Sequence, residues 1–175
     1  MHGTAEEPTE ETTAESTPRR EGPLTGALAD VARALRFYSR LPIPALPWEA
    51  DPHALPDFAR MARMLPVAGA ILGGLGALVL AAASLAGLPP LVSAALAIGA
   101  LAAMTGALHE DGLADVADAF AGATTRARRL ESMKDSRVGA FGATALALAP
   151  ILRVSALAAL PEAPGPLGAA AAFCA

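Results

Sequence analysis

Cysteine occurs once in the 175 residues, as Cys174, which excludes an internal disulfide framework and a zinc site built on cysteine. Aromatic residues make up 4% of the chain and charged residues 17%, against 54% from the hydrophobic set. A surplus of positive charge is missing as well. Of the 17 acidic residues, six (Glu6, Glu7, Glu10, Glu11, Glu15 and Glu21) lie in the first 22 positions, opposed there only by Arg19 and Arg20. The rest of the chain holds 11 charges of each sign, so nothing in it would displace the counterions of a nucleic acid, and that class of partner is excluded. The longest absence is of charge itself. Residues 64–108 are 45 consecutive positions without a charge, and residues 138–175 contain only Arg153 and Glu162. A lipid bilayer demands such runs; a water-soluble domain of this size does not.

What is present divides into an arm and a membrane domain. Residues 1–22 are rich in Glu, Thr and Pro and have no large aliphatic residue after Met1, so they are expected to form a disordered acidic arm and not a signal peptide. Residues 23–175 are expected to form a single membrane-embedded domain. Across residues 24–38, Leu24, Ala27, Leu28, Val31, Ala34, Leu35 and Tyr38 recur at spacings of three and four, predicting an amphipathic helix fit for a membrane surface. Pro42, Pro44 and Pro47 then end it.

Each crossing needs about 20 residues. The charge-free run breaks at the GLPP sequence, predicting spans over 65–86 and 90–108; a third is expected over 140–160, and an incomplete fourth over 167–175. The fold expected is therefore all-α, a polytopic integral membrane helical bundle that is truncated at its C-terminus. Basic residues precede the first span and follow the second, while the turns between paired spans have none, which places residues 109–139 in the cytoplasm. Gly69 and Gly73 form a GxxxG pair suited to a close helix contact.

Polarity is concentrated in that cytoplasmic segment. Asp111, Asp115 and Asp118 are spaced i, i+4, i+7, which on a helix at about 100° per residue puts them within roughly 60° of one another. Like charges so placed repel. A divalent cation removes the conflict, and carboxylate oxygens suit Mg²⁺, with Mn²⁺ as its substitute, better than zinc. His109 points to the other side of the helix. Lys134 and Arg137 bracket Asp135 and Ser136 just ahead of Gly139 and Gly142, a combination suited to gripping phosphate. Arg126, Arg128 and Arg129 serve equally well as positive-inside anchors.

The runs HEDGLADVADAF and MKDSRVGAFG, with RFYSRLPIP and ARMLPVAGAILGG before them, resemble the cobalamin 5′-phosphate synthase, or adenosylcobinamide-GDP ribazoletransferase, family over about residues 30–155. The resemblance implies a multi-pass enzyme of the bacterial inner membrane acting late in cobalamin assembly. A hydroxyl of α-ribazole or its 5′-phosphate would attack adenosylcobinamide-GDP, releasing GMP with Mg²⁺ required. A homo-oligomer or a complex with other cobalamin-assembly enzymes is compatible with this reading. In this reading Asp111, Asp115 and Asp118 hold metal and diphosphate, and one of them or His109 takes the hydroxyl proton. Lys134, Ser136 and Arg137 bind phosphate, with Asp135 a fourth metal oxygen or an orienter of Arg137. The rivals are an enzyme like the CDP-alcohol phosphatidyltransferases, whose D-G-x-x-A-R pattern fails at Asp115, and a non-catalytic transport protein or subunit, which would carry its ionisable groups inside the spans.

Overall fold

The computed structural model describes residues 22–49, 57–122, 124–134 and 137–159. Among these residues the chain is entirely helical: α1 Pro23–Tyr38, α2 Phe58–Leu85, α3 Pro90–Thr105, α4 Leu108–Gly122, α5 Arg126–Ser132 and α6 Ala140–Ala158. The expected arm and the expected fourth span lie outside the described residues. Two helices, α2 and α6, are long and apolar enough to cross a membrane, and α3 with α4 makes a third candidate if counted as one bent span. The bundle is that of a helical membrane protein.

Two boundaries differ from expectation, each for a local reason. Helix α2 begins at Phe58, not near residue 65, because Asp57 caps it, accepting the Ala59 and Arg60 amides at 2.9 and 3.3 Å. Helix α3 stops at Thr105. Gly106 (φ 64°) and Ala107 (φ 58°) both take the left-handed conformation, and the chain turns through 88° into α4. At about 1.5 Å per residue, the 16 residues of α3 reach about 24 Å, short of the roughly 30 Å hydrocarbon layer. Helix α1 covers the expected residues. Its buried side is Gly26, Ala29, Asp30, Ala32, Ala34 and Leu35, whereas Leu24 and Leu28 of the expected stripe are exposed. Small residues let α1 lie close on α2, and Asp30 is tolerated there because Arg33 and Arg60 pair with it at 3.2 and 3.1 Å.

The core joins Ala34 and Leu35 of α1 to Met61, Ala68 and Leu72 of α2, with Leu41, Ile43 and Leu101 packed against them. Between α2 and α3 the contact is small against small: Gly73, Gly76 and Ala77 are buried on one helix, Ser93, Ala94 and Ala97 on the other. Gly69 does not take part, since a Cβ added there meets nothing within 4 Å. Helix α6 packs on α3 and α4. Its lone cation, Arg153, reaches Glu110 of α4 at 3.4 Å, which is how a charge is accommodated on this apolar helix.

Candidate functional site

Helix α4 carries the acidic motif, and the bend at Gly106–Ala107 sets it nearly perpendicular to α3. Asp111 is exposed and Asp115 half-buried on its surface, about 6 Å apart along the axis. Neither carboxylate has a hydrogen-bond or ion-pair partner among the described residues. Asp118 differs. Its Oδ2 accepts the Gly139 amide at 2.7 Å and its Oδ1 the Gly142 amide at 2.9 Å, so the third carboxylate of the stripe is bound to the start of α6. Among the described residues, no three His, Cys, Asp or Glu side chains gather closely enough to hold one metal ion. Asp111 and Asp115 thus lie on the helix surface, while the Asp118 carboxylate is turned to backbone amides.

Both amide donors belong to glycines for a steric reason. A Cβ at Gly139 would come within 2.5 Å of Asp118 Oδ1, and one at Gly142 would strike Asp118 Oδ2 and lie 3.0 Å from the Ala114 carbonyl. The two sequence motifs are therefore in contact, α4 of the first against the glycine corner of the second.

Beside this contact an open pocket of about 700 Å³ lies between α4, α5 and α6. Its lining includes Asp118, Arg128, Glu131, Arg137 and Phe141. Of the residues expected at the site, Asp118 and Arg137 meet here. Asp111, Asp115, His109 and Lys134 are not among the lining residues, and Asp135 and Ser136 lie outside the described residues. His109 instead faces α1, its ring 6.4 Å from that of Tyr38. The sequence reading missed Arg128, Glu131 and Phe141 as lining residues. The signal was in the spacing: Arg128, Glu131 and Ser132 lie at i, i+3, i+4 on α5, which Thr125 caps by accepting the Arg128 amide at 3.4 Å. Arg129 turns away and stacks over Phe120, 4.7 Å from its centroid.

Such a bundle, with an acidic helix set across the end of an apolar one and a two-arginine pocket at its side, defines a polytopic helical membrane protein with a polar site at one face. The chain belongs to the cobalamin-5-phosphate synthase family, whose model matches residues 30–175. Its relatives include proteins named adenosylcobinamide-GDP ribazoletransferase from Azorhizobium caulinodans, 53% identical over 130 residues (74% of this chain, 49% of that protein), and Xanthobacter autotrophicus, 49% identical over 141 residues (81% and 53%). One from Brucella ovis is 50% identical over 135 residues (77% and 51%). The chain thus spans about half the length of the curated relatives it matches. No solved structure matches it. The CDP-alcohol phosphatidyltransferase and transport readings receive no support from these relatives.

Proposed function

We propose that this chain carries the catalytic segment of an adenosylcobinamide-GDP ribazoletransferase. A hydroxyl oxygen of α-ribazole, or of its 5′-phosphate, attacks the phosphorus next to the cobinamide. The bond from that phosphorus to the bridging oxygen breaks, and GMP leaves with that oxygen. The single observation that carries this reading is that Asp118 of the acidic motif and Arg137 of the second motif line one pocket together with Arg128.

Charge that spreads over phosphate oxygens during phosphoryl transfer calls for fixed cations and little covalent help from the protein. Arg128 and Arg137 supply guanidinium groups able to grip phosphate in a bidentate manner, and Phe141 offers an aromatic wall. Asp111 and Asp115 fit Mg²⁺, which is commonly held by one or two carboxylates together with water and substrate phosphate. When bound, Mg²⁺ or Mn²⁺ would neutralise the diphosphate. The hydroxyl proton passes to a carboxylate of α4 or to His109, which lies two residues before Asp111.

The basic residues of α1, of the first turns of α2 and of α5 support a site on the cytoplasmic side of the bacterial inner membrane. The test is turnover in proteoliposomes given adenosylcobinamide-GDP, α-ribazole and Mg²⁺. Release of GMP with formation of a cobalamin product supports the reading; no GMP release overturns it.

A further inference from the structure

An ordinary helix start is closed by its own residues: the N-cap side chain takes the N3 amide, and an N3 side chain returns to the N-cap amide. Helix α6 cannot do this. Its N-cap is Gly139 and its N3 residue is Gly142, so both side chains are missing. Asp118, 21 residues earlier on α4, performs both halves at once, one oxygen to each amide. We propose that Asp118 is a positioning residue and not a metal ligand: it is the cap of α6 supplied by α4, and it holds the Arg137–Phe141 wall of the pocket in register with Asp111 and Asp115.

Three observations converge on this. Asp118 spends both oxygens on amides at 2.7 and 2.9 Å, short bonds of the charge-assisted kind. The positive end of the α6 dipole lies against the same carboxylate, where it stabilises the anion and opposes a second cation. The glycines make room for this seating, since a Cβ at either would meet that carboxylate. Arg137 lies two residues before Gly139, and Val138, Gly139 and Phe141 all line the pocket, so whatever fixes the cap fixes the wall. The apparent three-carboxylate stripe then has two parts. Asp111 and Asp115 face outward, while Asp118 faces α6.

This inference rests on the reading of the pocket as the site of a nucleoside diphosphate group, and its test keeps the two separable. The full chain in lipid nanodiscs is titrated with Mn²⁺, followed by electron paramagnetic resonance, and with GDP, for the wild type, Asp111→Asn, Asp118→Asn and Gly142→Ala. Asp111→Asn is expected to weaken Mn²⁺ binding about tenfold, as the loss of a charged ligand would. Asp118→Asn and Gly142→Ala are expected to leave Mn²⁺ affinity within about twofold and to weaken GDP binding about tenfold, the scale of one charge-assisted hydrogen bond. Loss of Mn²⁺ binding in Asp118→Asn equal to that in Asp111→Asn overturns the proposal, and so does GDP binding that neither Asp118→Asn nor Gly142→Ala changes. A wild-type chain that binds no GDP overturns the functional reading. In that case amide hydrogen exchange still decides the cap: protection at Gly139 and Gly142 that persists in Asp118→Asn overturns it, and its loss upholds it.

Discussion

Arg36 and Glu49 form a closed two-armed pair, with Nη2 2.6 Å from Oε2 and Nη1 3.0 Å from Oε1, and the Glu49 side chain is fully buried. The same guanidinium donates from Nε to the Ile43 carbonyl and from Nη2 to the Pro44 carbonyl, while Glu49 also accepts the Leu46 amide. One ion pair thus ties the proline-rich segment after α1 to α1 itself. The Trp48 indole, donating to the Thr25 carbonyl, adds a second tie to α1.

The hydrogen bond from Arg36 holds the Glu49 carboxyl below its usual range, against the opposing effect of burial, and the Leu46 amide adds to the lowering. Because the folded value lies below the unfolded one, the stabilisation is complete above the ordinary glutamate pKa of about 4.3 and is lost as pH falls through the folded value. Thermal unfolding followed by circular dichroism is expected to hold steady in this respect from neutral pH to about 5 and to weaken below about 4. Glu49→Gln should remove that acid-dependent part and lower stability by about 2 kcal/mol at neutral pH.

The bend between α3 and α4 calls for substitutions of opposite sign at adjacent positions. Gly106→Ala sets a Cβ into the Arg40 guanidinium and forces alanine to φ 64°, so a loss of at least about 1 kcal/mol is expected. Ala107 already bears that strain at φ 58°, and Ala107→Gly should leave stability unchanged or raise it by up to about 1 kcal/mol. Melting temperatures of the purified variants check both.

Glu110 and Arg153 should reveal themselves by non-additivity. Glu110 Oε1 pairs with Arg153 at 3.4 Å, and among the described residues its Oε2 is buried without a hydrogen-bond donor. Arg153→Leu leaves that carboxylate unpaired and, with both side chains partly exposed, is expected to destabilise by about 1 kcal/mol. Adding Glu110→Gln should recover most of the loss, which a double-mutant cycle measures.

Arg137→Lys and Arg128→Ala probe the pocket. Lysine keeps the charge at residue 137 but not the two-pronged geometry, so affinity for the diphosphate substrate is expected to fall about tenfold, with a similar fall for Arg128→Ala. Arg129→Ala, which removes a stack on Phe120 and no pocket residue, should change substrate affinity less than about threefold. Steady-state KM values distinguish these outcomes.

Asp111→Asn and Asp115→Asn are expected to abolish GMP release while the protein remains folded and membrane-inserted, as read by turnover and circular dichroism. Asp111 is exposed and Asp115 only half-buried, and neither carboxylate has a structural partner among the described residues, so a loss of activity with the helix content intact would report their role in binding metal.

Much of this architecture was legible in one dimension. A 45-residue stretch without charge can only be apolar helix in lipid, GLPP breaks it, and the i, i+4, i+7 spacing of Asp111, Asp115 and Asp118 places them on one side of whatever helix they form. The identity of the motifs pointed to the family before any packing was known. Spacing along one helix, however, says nothing about which neighbour arrives beside it. The right-angle turn depends on two successive left-handed residues, one of them an alanine whose side chain gives no warning of it. The α1 periodicity marked an apolar face without saying which of its residues protein covers. Local composition thus determined the membrane bundle, its family and the residues that carry charge. The tertiary structure decided that Asp118 serves α6, that Arg128 joins Arg137, and that Glu110 answers Arg153. Each of these depends on an approach between helices distant in sequence, through contacts that no local pattern encodes.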